Sequence, residues 1–84
     1  MSWDNRSDRI DHGALTHVWR QIADDLRADI ESGALPPGAK PPGSIELAEI
    51  YGVAKNTTAR AIAELREDGL VTVLFGRGTF VAKR

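Results

Sequence analysis

Two stretches with helical patterning, residues 44–51 and 54–68, are separated by little more than Gly52 and Val53. So short a gap leaves no slack, and the two helices must be neighbours. The chain turns sharply between them through a residue free to take a left-handed conformation, which glycine supplies. Leu47, Ala48 and Ile50 form the inward face of the first stretch. In the second, at about 100° per residue, Thr58, Ala61, Ile62 and Leu65 fall on one side with Asn56, Arg60 and Ala63 opposite them, and Gly69 supplies the stop. Two helices joined in this way make a helix-turn-helix, whose second member lies in a DNA major groove.

The rest of the chain arranges itself around this pair. Upstream, Val18, Trp19, Ile22, Ala23, Leu26 and Ile30 recur at spacings of three and four, while Arg20, Asp24, Asp25, Arg27 and Asp29 take the other faces. That pattern predicts a further helix, with Thr16 as its N-cap and Gly33 as its stop. All four prolines and three of the eight glycines then fall within Gly33–Gly43, which excludes helix and central strand there. The stretch predicts an ordered loop, with a generic linker as the alternative. After Gly69, Leu70–Phe75 is rich in strand-forming residues, Gly76-Arg77-Gly78 supplies a turn, and Thr79–Val81 returns. The expected fold is mainly α with a small β-hairpin, a winged helix-turn-helix of three helices and a two-stranded wing. Trp19, Ile22, Leu26, Leu47, Ile62, Leu65 and Val71 are expected to share one core. This domain occupies residues 16–84. Residues 1–15, polar and broken by Gly13, read as a flexible N-terminal arm in which Trp3 has no core to join.

With 84 residues there is no space for a second folded domain, and the absence of cysteine removes disulfides and thiolate metal sites. Hydrophobic packing, alone or with help from a partner, has to hold the domain, and a reducing, cytoplasmic compartment is expected. No window approaches the roughly 18 apolar residues of a membrane span. His12 and His17 lie near the N-terminus without a downstream ligand set, so no metal, cofactor or catalytic residue is expected, and the chain is not expected to be an enzyme.

The net charge of −1 conceals an asymmetry: residues 1–37 hold four arginines against seven acids, whereas residues 38–84 hold seven bases against five acids. A polyanion would therefore meet the C-terminal half. There, Asn56 and Arg60 point outward together near the start of a groove-entering helix, suited to adenine and guanine respectively, with Lys55 and Thr57 suited to phosphate oxygens. The bland alternative is a solvated face in which Arg60 and Glu64 form an i,i+4 ion pair. Arg77, between Gly76 and Gly78, projects from the narrow end of the hairpin toward a minor groove or phosphate, unless it is merely a solubilising turn residue. Lys40, in the proline loop, reads as a solvated charge.

The runs Trp19–Arg27, Ile30–Gly38, Glu46-Leu-Ala-Glu49, Gly52-Val53, Leu65–Val71 and Gly76-Arg-Gly-Thr-Phe-Val81 together resemble the N-terminal winged-helix domain of GntR-type bacterial transcription regulators, across about residues 17–82. The resemblance implies a repressor-like protein, usually a homodimer at least on DNA, that binds a palindromic operator in double-stranded DNA through the third helix and the wing. The DNA-binding candidates are then Ser44, Lys55, Asn56, Thr57, Arg60, Gly76, Arg77 and Gly78. There are departures. Such proteins usually read Leu-Pro-Ser-Glu-Arg where this chain has Pro41-Pro-Gly-Ser-Ile45, so Ile45 replaces an arginine directed at DNA. Ala54-Lys-Asn-Thr-Thr-Ala59 stands in place of Ser-Arg-Thr-Thr-Val-Arg. Lys55 keeps the charge there without the bidentate fork. The family's effector-binding C-terminal domain is not expected within this chain. The alternative function is a winged-helix protein-interaction module with weak or no DNA binding, docking through its acidic first helix.

Overall fold

A computed structural model describes residues 3–14 and 17–82. Helix α1 spans Val18–Glu31 and turns Ile22, Ala23 and Leu26 inward; Gly33, just beyond its end, takes φ +86°. His17 occupies the N-cap position without a side-chain hydrogen bond, and Thr16, expected there, lies outside the described residues. Helix α2 spans Ser44–Tyr51 and α3 spans Lys55–Glu67, leaving Gly52, Val53 and Ala54 as the turn. Gly52 closes α2 at φ +69°, the left-handed geometry that a side chain disfavours. Thr58, fully buried on α3, donates its hydroxyl to the Ser44 carbonyl at 2.6 Å, with the Lys55 carbonyl at 3.0 Å as a second acceptor. This bond pins the start of α2 to the first turn of α3.

Strands β1, Val71–Leu74, and β2, Gly78–Val81, pair antiparallel in the register Val71↔Val81 through Leu74↔Gly78. Residues opposite one another share a face, and Val71, Thr79 and Val81 form the buried one. The proline loop is no generic linker. Leu35 and Pro41 are buried, the Gly38 N–H donates to Val81 O at 2.9 Å, and the Val81 N–H donates to Ala39 O at 2.8 Å, so the loop covers the outer edge of β2.

The core gathers Ile22, Leu26, Leu47, Tyr51, Ala61, Ile62, Leu65, Leu70 and Val71. Trp19 is a correction to the expected core: it is half-buried at the margin of α1, where its ring stacks on His17 with centroids 6.0 Å apart. Tyr51 sits at the centre instead, fully buried.

The N-terminal segment differs more from expectation. Its described part, residues 3–14, is packed against the body rather than extended as an arm. A short 3-10 turn, Ser7–Arg9, lies against α2. Ile10 joins the core, and Trp3 packs on it. Arg6 is only 3% exposed; its backbone N–H donates to Ile50 O at 2.6 Å. From Nη1 the guanidinium reaches Asp25 at 3.0 Å, Asp29 at 2.7 Å and the Tyr51 hydroxyl at 3.1 Å, while the Trp3 ring lies 4.5 Å away. The polar composition of the segment hides this because the anchor is an arginine whose partners lie 19 to 45 residues along the chain.

Candidate nucleic-acid interface

Charge is sorted by location. Three of the four acids of α1 have an internal cation: Asp25 and Asp29 accept from Arg6, Asp25 also from Arg9, and Arg27 bridges Asp24 and Asp68. A cleft of about 290 Å³ between α1 and α3, lined by Trp19, Arg20, Asp24, Arg27, Glu64 and Asp68, is largely neutralised by those Arg27 pairs. Around Arg6 burial opposes the charge, but hydrogen bonds to Asp29 and Tyr51 outweigh it and hold the guanidinium protonated. The Tyr51 hydroxyl is pushed above its ordinary range, first by burial and then by donating to Asp25 at 2.7 Å. No group of three or more His, Asp or Glu side chains among the described residues is arranged to hold a metal ion.

The start of α3 is different. Lys55 and Asn56 are exposed, and among the described residues neither side chain has a hydrogen-bond or ion-pair partner. Thr57 is half-buried beside them, and its backbone N–H donates to Ala54 O at 3.0 Å. Ala54 at the N-cap offers no side-chain oxygen, so the first turn keeps outward N–H groups at the positive end of the helix dipole. Arg60 is exposed, as the helical wheel predicts, but its guanidinium lies over the Trp19 ring, 4.7 Å from the centroid. The Arg60–Glu64 ion pair does not form among the described residues. Ser44, at the start of α2, contributes its carbonyl to Thr58, and the neighbouring Ile45 is 65% exposed.

At the wing, the Arg77 N–H donates to Leu74 O at 3.0 Å, and of the two central residues only Gly76 has positive φ, +76°. That combination is a type II turn with Phe75 and Gly76 at its centre. Arg77 is exposed one position past the tip, and Phe75, rather than Arg77, occupies the tip with its side chain fully exposed. Gly78 takes φ +110°, and a Cβ placed there would lie 3.0 Å from Lys40 Cε. Lys40 rests along the wing, its ammonium 5.9 Å from the Phe80 ring.

The structure thus brings Lys55, Asn56 and Thr57 together on the first turn of α3, and places Gly76 and Arg77 in the hairpin turn with Gly78 opening β2. Sequence reasoning did not foresee Trp19 beneath Arg60, Lys40 against Gly78 or Phe75 exposed in the hairpin turn. The available signal for Phe75 was an aromatic residue directly before a Gly-Arg-Gly turn; nothing in the local sequence pairs Lys40 with Gly78.

Residues 19–81 match the profile of the family described as "Bacterial regulatory proteins, gntR family". The chain is 38% identical to the HTH-type transcriptional repressor NagR of Bacillus subtilis (strain 168), over 79% of this chain and 27% of that protein. It is 33% identical to the repressor YtrA of the same organism, over 89% and 58%. It therefore spans well under two thirds of these curated relatives. Among solved structures, YtrA from Sulfolobus acidocaldarius, a GntR-family transcription factor, superimposes with a TM-score of 0.83 at 35% identity, covering 89% of this chain and 79% of that one. The DNA-binding domain of AraR in complex with operator ORX1 gives 0.76 at 32%, covering 87% of each. Three helices with a glycine-closed turn, a two-stranded wing from Val71 to Val81 and a profile match over residues 19–81 converge on one assignment: the chain belongs to the GntR family of bacterial regulatory proteins.

Proposed function

We propose that this chain is the double-stranded DNA-binding module of a cytoplasmic transcriptional repressor, that it acts without chemistry of its own, and that two copies occupy a palindromic operator. Helix α3 enters the major groove and the wing follows the adjacent minor groove. The observation that carries this reading is the sorting of charge: Lys55 and Asn56 stand free at the start of α3, while Asp24, Asp25 and Asp29 of α1 are held by Arg6, Arg9 and Arg27. The same ion pairs offset the charge of three of the four acids on the helix through which a protein-interaction module would dock. NagR and YtrA are named repressors, and the AraR domain is bound to its operator; both facts support the assignment.

In this reading Lys55 and Thr57 hold phosphates, and the uncapped first turn of α3 adds backbone N–H donors to the same phosphates. Asn56 reads a base edge. Arg60 does so by exchanging the Trp19 ring for a base. Ser44 and Gly76, Arg77 and Gly78 flank the two grooves. Duplexes selected by the protein from a random 30-base-pair pool, titrated at about 50 and about 200 mM salt, test the assignment. Lys55→Ala should weaken binding to every duplex alike and lower the salt slope by about one. Arg60→Ala should instead lose roughly 1 to 3 kcal/mol of discrimination at one position per half-site. If both variants bind as the parent does at both salt concentrations, the interface is misplaced.

A further inference from the structure

The tip of the wing is apolar where a groove-binding hairpin needs only charge. Phe75 is fully exposed at the first central position of the turn, and Val73 and Leu74 behind it are each 43% exposed. Val71, Thr79 and Val81 are buried, but Val73, opposite Thr79 on the same face, is not, so the outer end of this face, from Val73 to Phe75, is left exposed among the described residues. Leaving these side chains in water has a cost that a soluble protein ordinarily avoids at a turn. Glycines on either side of Arg77 keep the tip slim, and a Cβ at Gly76 would meet nothing within 4 Å.

Charge decides what covers this face. From Leu70 to Ala82 the chain contains no acid, and Arg77 is its one charged residue; Lys40 lies against Gly78 beside it. Two wings packed on each other would bring two Arg77 and two Lys40 side chains together without a carboxylate from either hairpin to offset them. A polyanion with apolar surface recessed between its charges satisfies both features, and the minor groove has that character: phosphates on its rims, with deoxyribose and base-pair edges within.

Resting on the DNA-binding reading above, we propose that Phe75 is a wedge. It enters the minor groove beside the α3 half-site, partly unstacks one base step and bends the duplex away from the wing, with Arg77 and Lys40 holding the flanking phosphates. Apolar side chains inserted between base steps kink DNA toward the major groove. Flexible pyrimidine–purine steps are the least costly to open. The wing therefore selects TA or CA steps at its position without hydrogen-bonding to them.

The test uses the full chain and a 30-base-pair duplex selected by the parent protein, carrying 2-aminopurine at the step under the wing and, in a second version, dyes at its ends. Parent protein is expected to raise 2-aminopurine fluorescence and shorten the end-to-end distance. Phe75→Ala should bind roughly tenfold more weakly, leave the fluorescence quenched and the duplex straight, and lose the preference for a pyrimidine–purine step. Phe75→Leu should retain part of the bend. Phe75 makes no buried contact, so circular dichroism should show both variants folded. Equal binding and equal bending by parent and Phe75→Ala overturn the wedge while leaving the DNA-binding reading intact. Concentration-dependent self-association of the free parent that Phe75→Ala abolishes, with bending unchanged, overturns it in favour of a contact between copies. Failure of the parent to select any duplex overturns both.

Discussion

The residue that organises the least regular part of the molecule is Arg6. It carries its charge into a site where Asp25, Asp29 and Tyr51 converge. A buried ion pair is weak evidence of net stability, because desolvation offsets much of the attraction, but removing one partner leaves the others uncompensated. Tyr51 shows the coupling through pH. Burial and the bond to Asp25 raise its folded-state pKa above the unfolded value of about 10. Below pH 10 the hydroxyl is protonated in both states and its contribution is complete. Above pH 10 the unfolded chain releases the proton and the folded one does not, so stability falls as pH rises. Urea unfolding at about pH 9 and pH 11 should show that loss. Tyr51→Phe should cost about 1 to 3 kcal/mol at neutral pH and flatten the dependence above pH 10; an unchanged slope in the variant would place the titration elsewhere. None of this is legible in the sequence. Arg6 reads as one charge among many in a polar leader, and its role exists only once α1 and α2 bring two aspartates and a tyrosine to the same point.

The elements were legible because their signals are local. Thr58, Ala61, Ile62 and Leu65 are buried on α3 as the helical wheel places them, and glycines at 33, 52 and 69 take positive φ at or just past the helix ends. What local patterning does not give is the end-to-end fit of elements. The hairpin turn shifted by one residue, placing Phe75 and Gly76 at its centre, because the i→i+3 bond forms from Leu74 to Arg77 and Gly76 alone of the central pair accepts positive φ. The proline loop became a sheet margin through Gly38 and Ala39, bonds that composition cannot foretell. The turn between α2 and α3 gives the sharpest check on elements fitting together. Gly52 sits at φ +69°, and a Cβ there would meet Ser7 Cβ at 3.2 Å. Gly52→Ala should therefore destabilise by about 1 to 2 kcal/mol from the left-handed backbone alone, with a further loss as the N-terminal segment is displaced. Protease digestion should then cut residues 3–14 faster than in the parent. A variant as stable and as resistant as the parent would mean that the segment does not press on this turn.

At the scale of the whole molecule, size and charge together determine how DNA can be engaged. A single module of this kind covers about 600 to 1,000 Å² of its own surface on a duplex, and a net charge of −1 gives little long-range attraction to compensate. In the DNA-binding reading proposed above, one copy is therefore expected to bind weakly, and operator-grade affinity to need two. The described residues extend 34 × 26 × 23 Å, and one turn of B-DNA advances roughly 34 to 36 Å. Two copies can lie side by side on one face of the duplex with their α3 helices in successive major grooves. Sedimentation of the complex with a duplex carrying two inverted half-sites one turn apart should give two proteins per DNA. Inserting about five base pairs between the half-sites rotates them to opposite faces; if the copies touch when bound, this should lower affinity several-fold and separate binding into two independent steps. A stoichiometry of one, with protection confined to a single half-site at saturation, would show that the module engages DNA alone, and the palindromic operator would no longer follow from it.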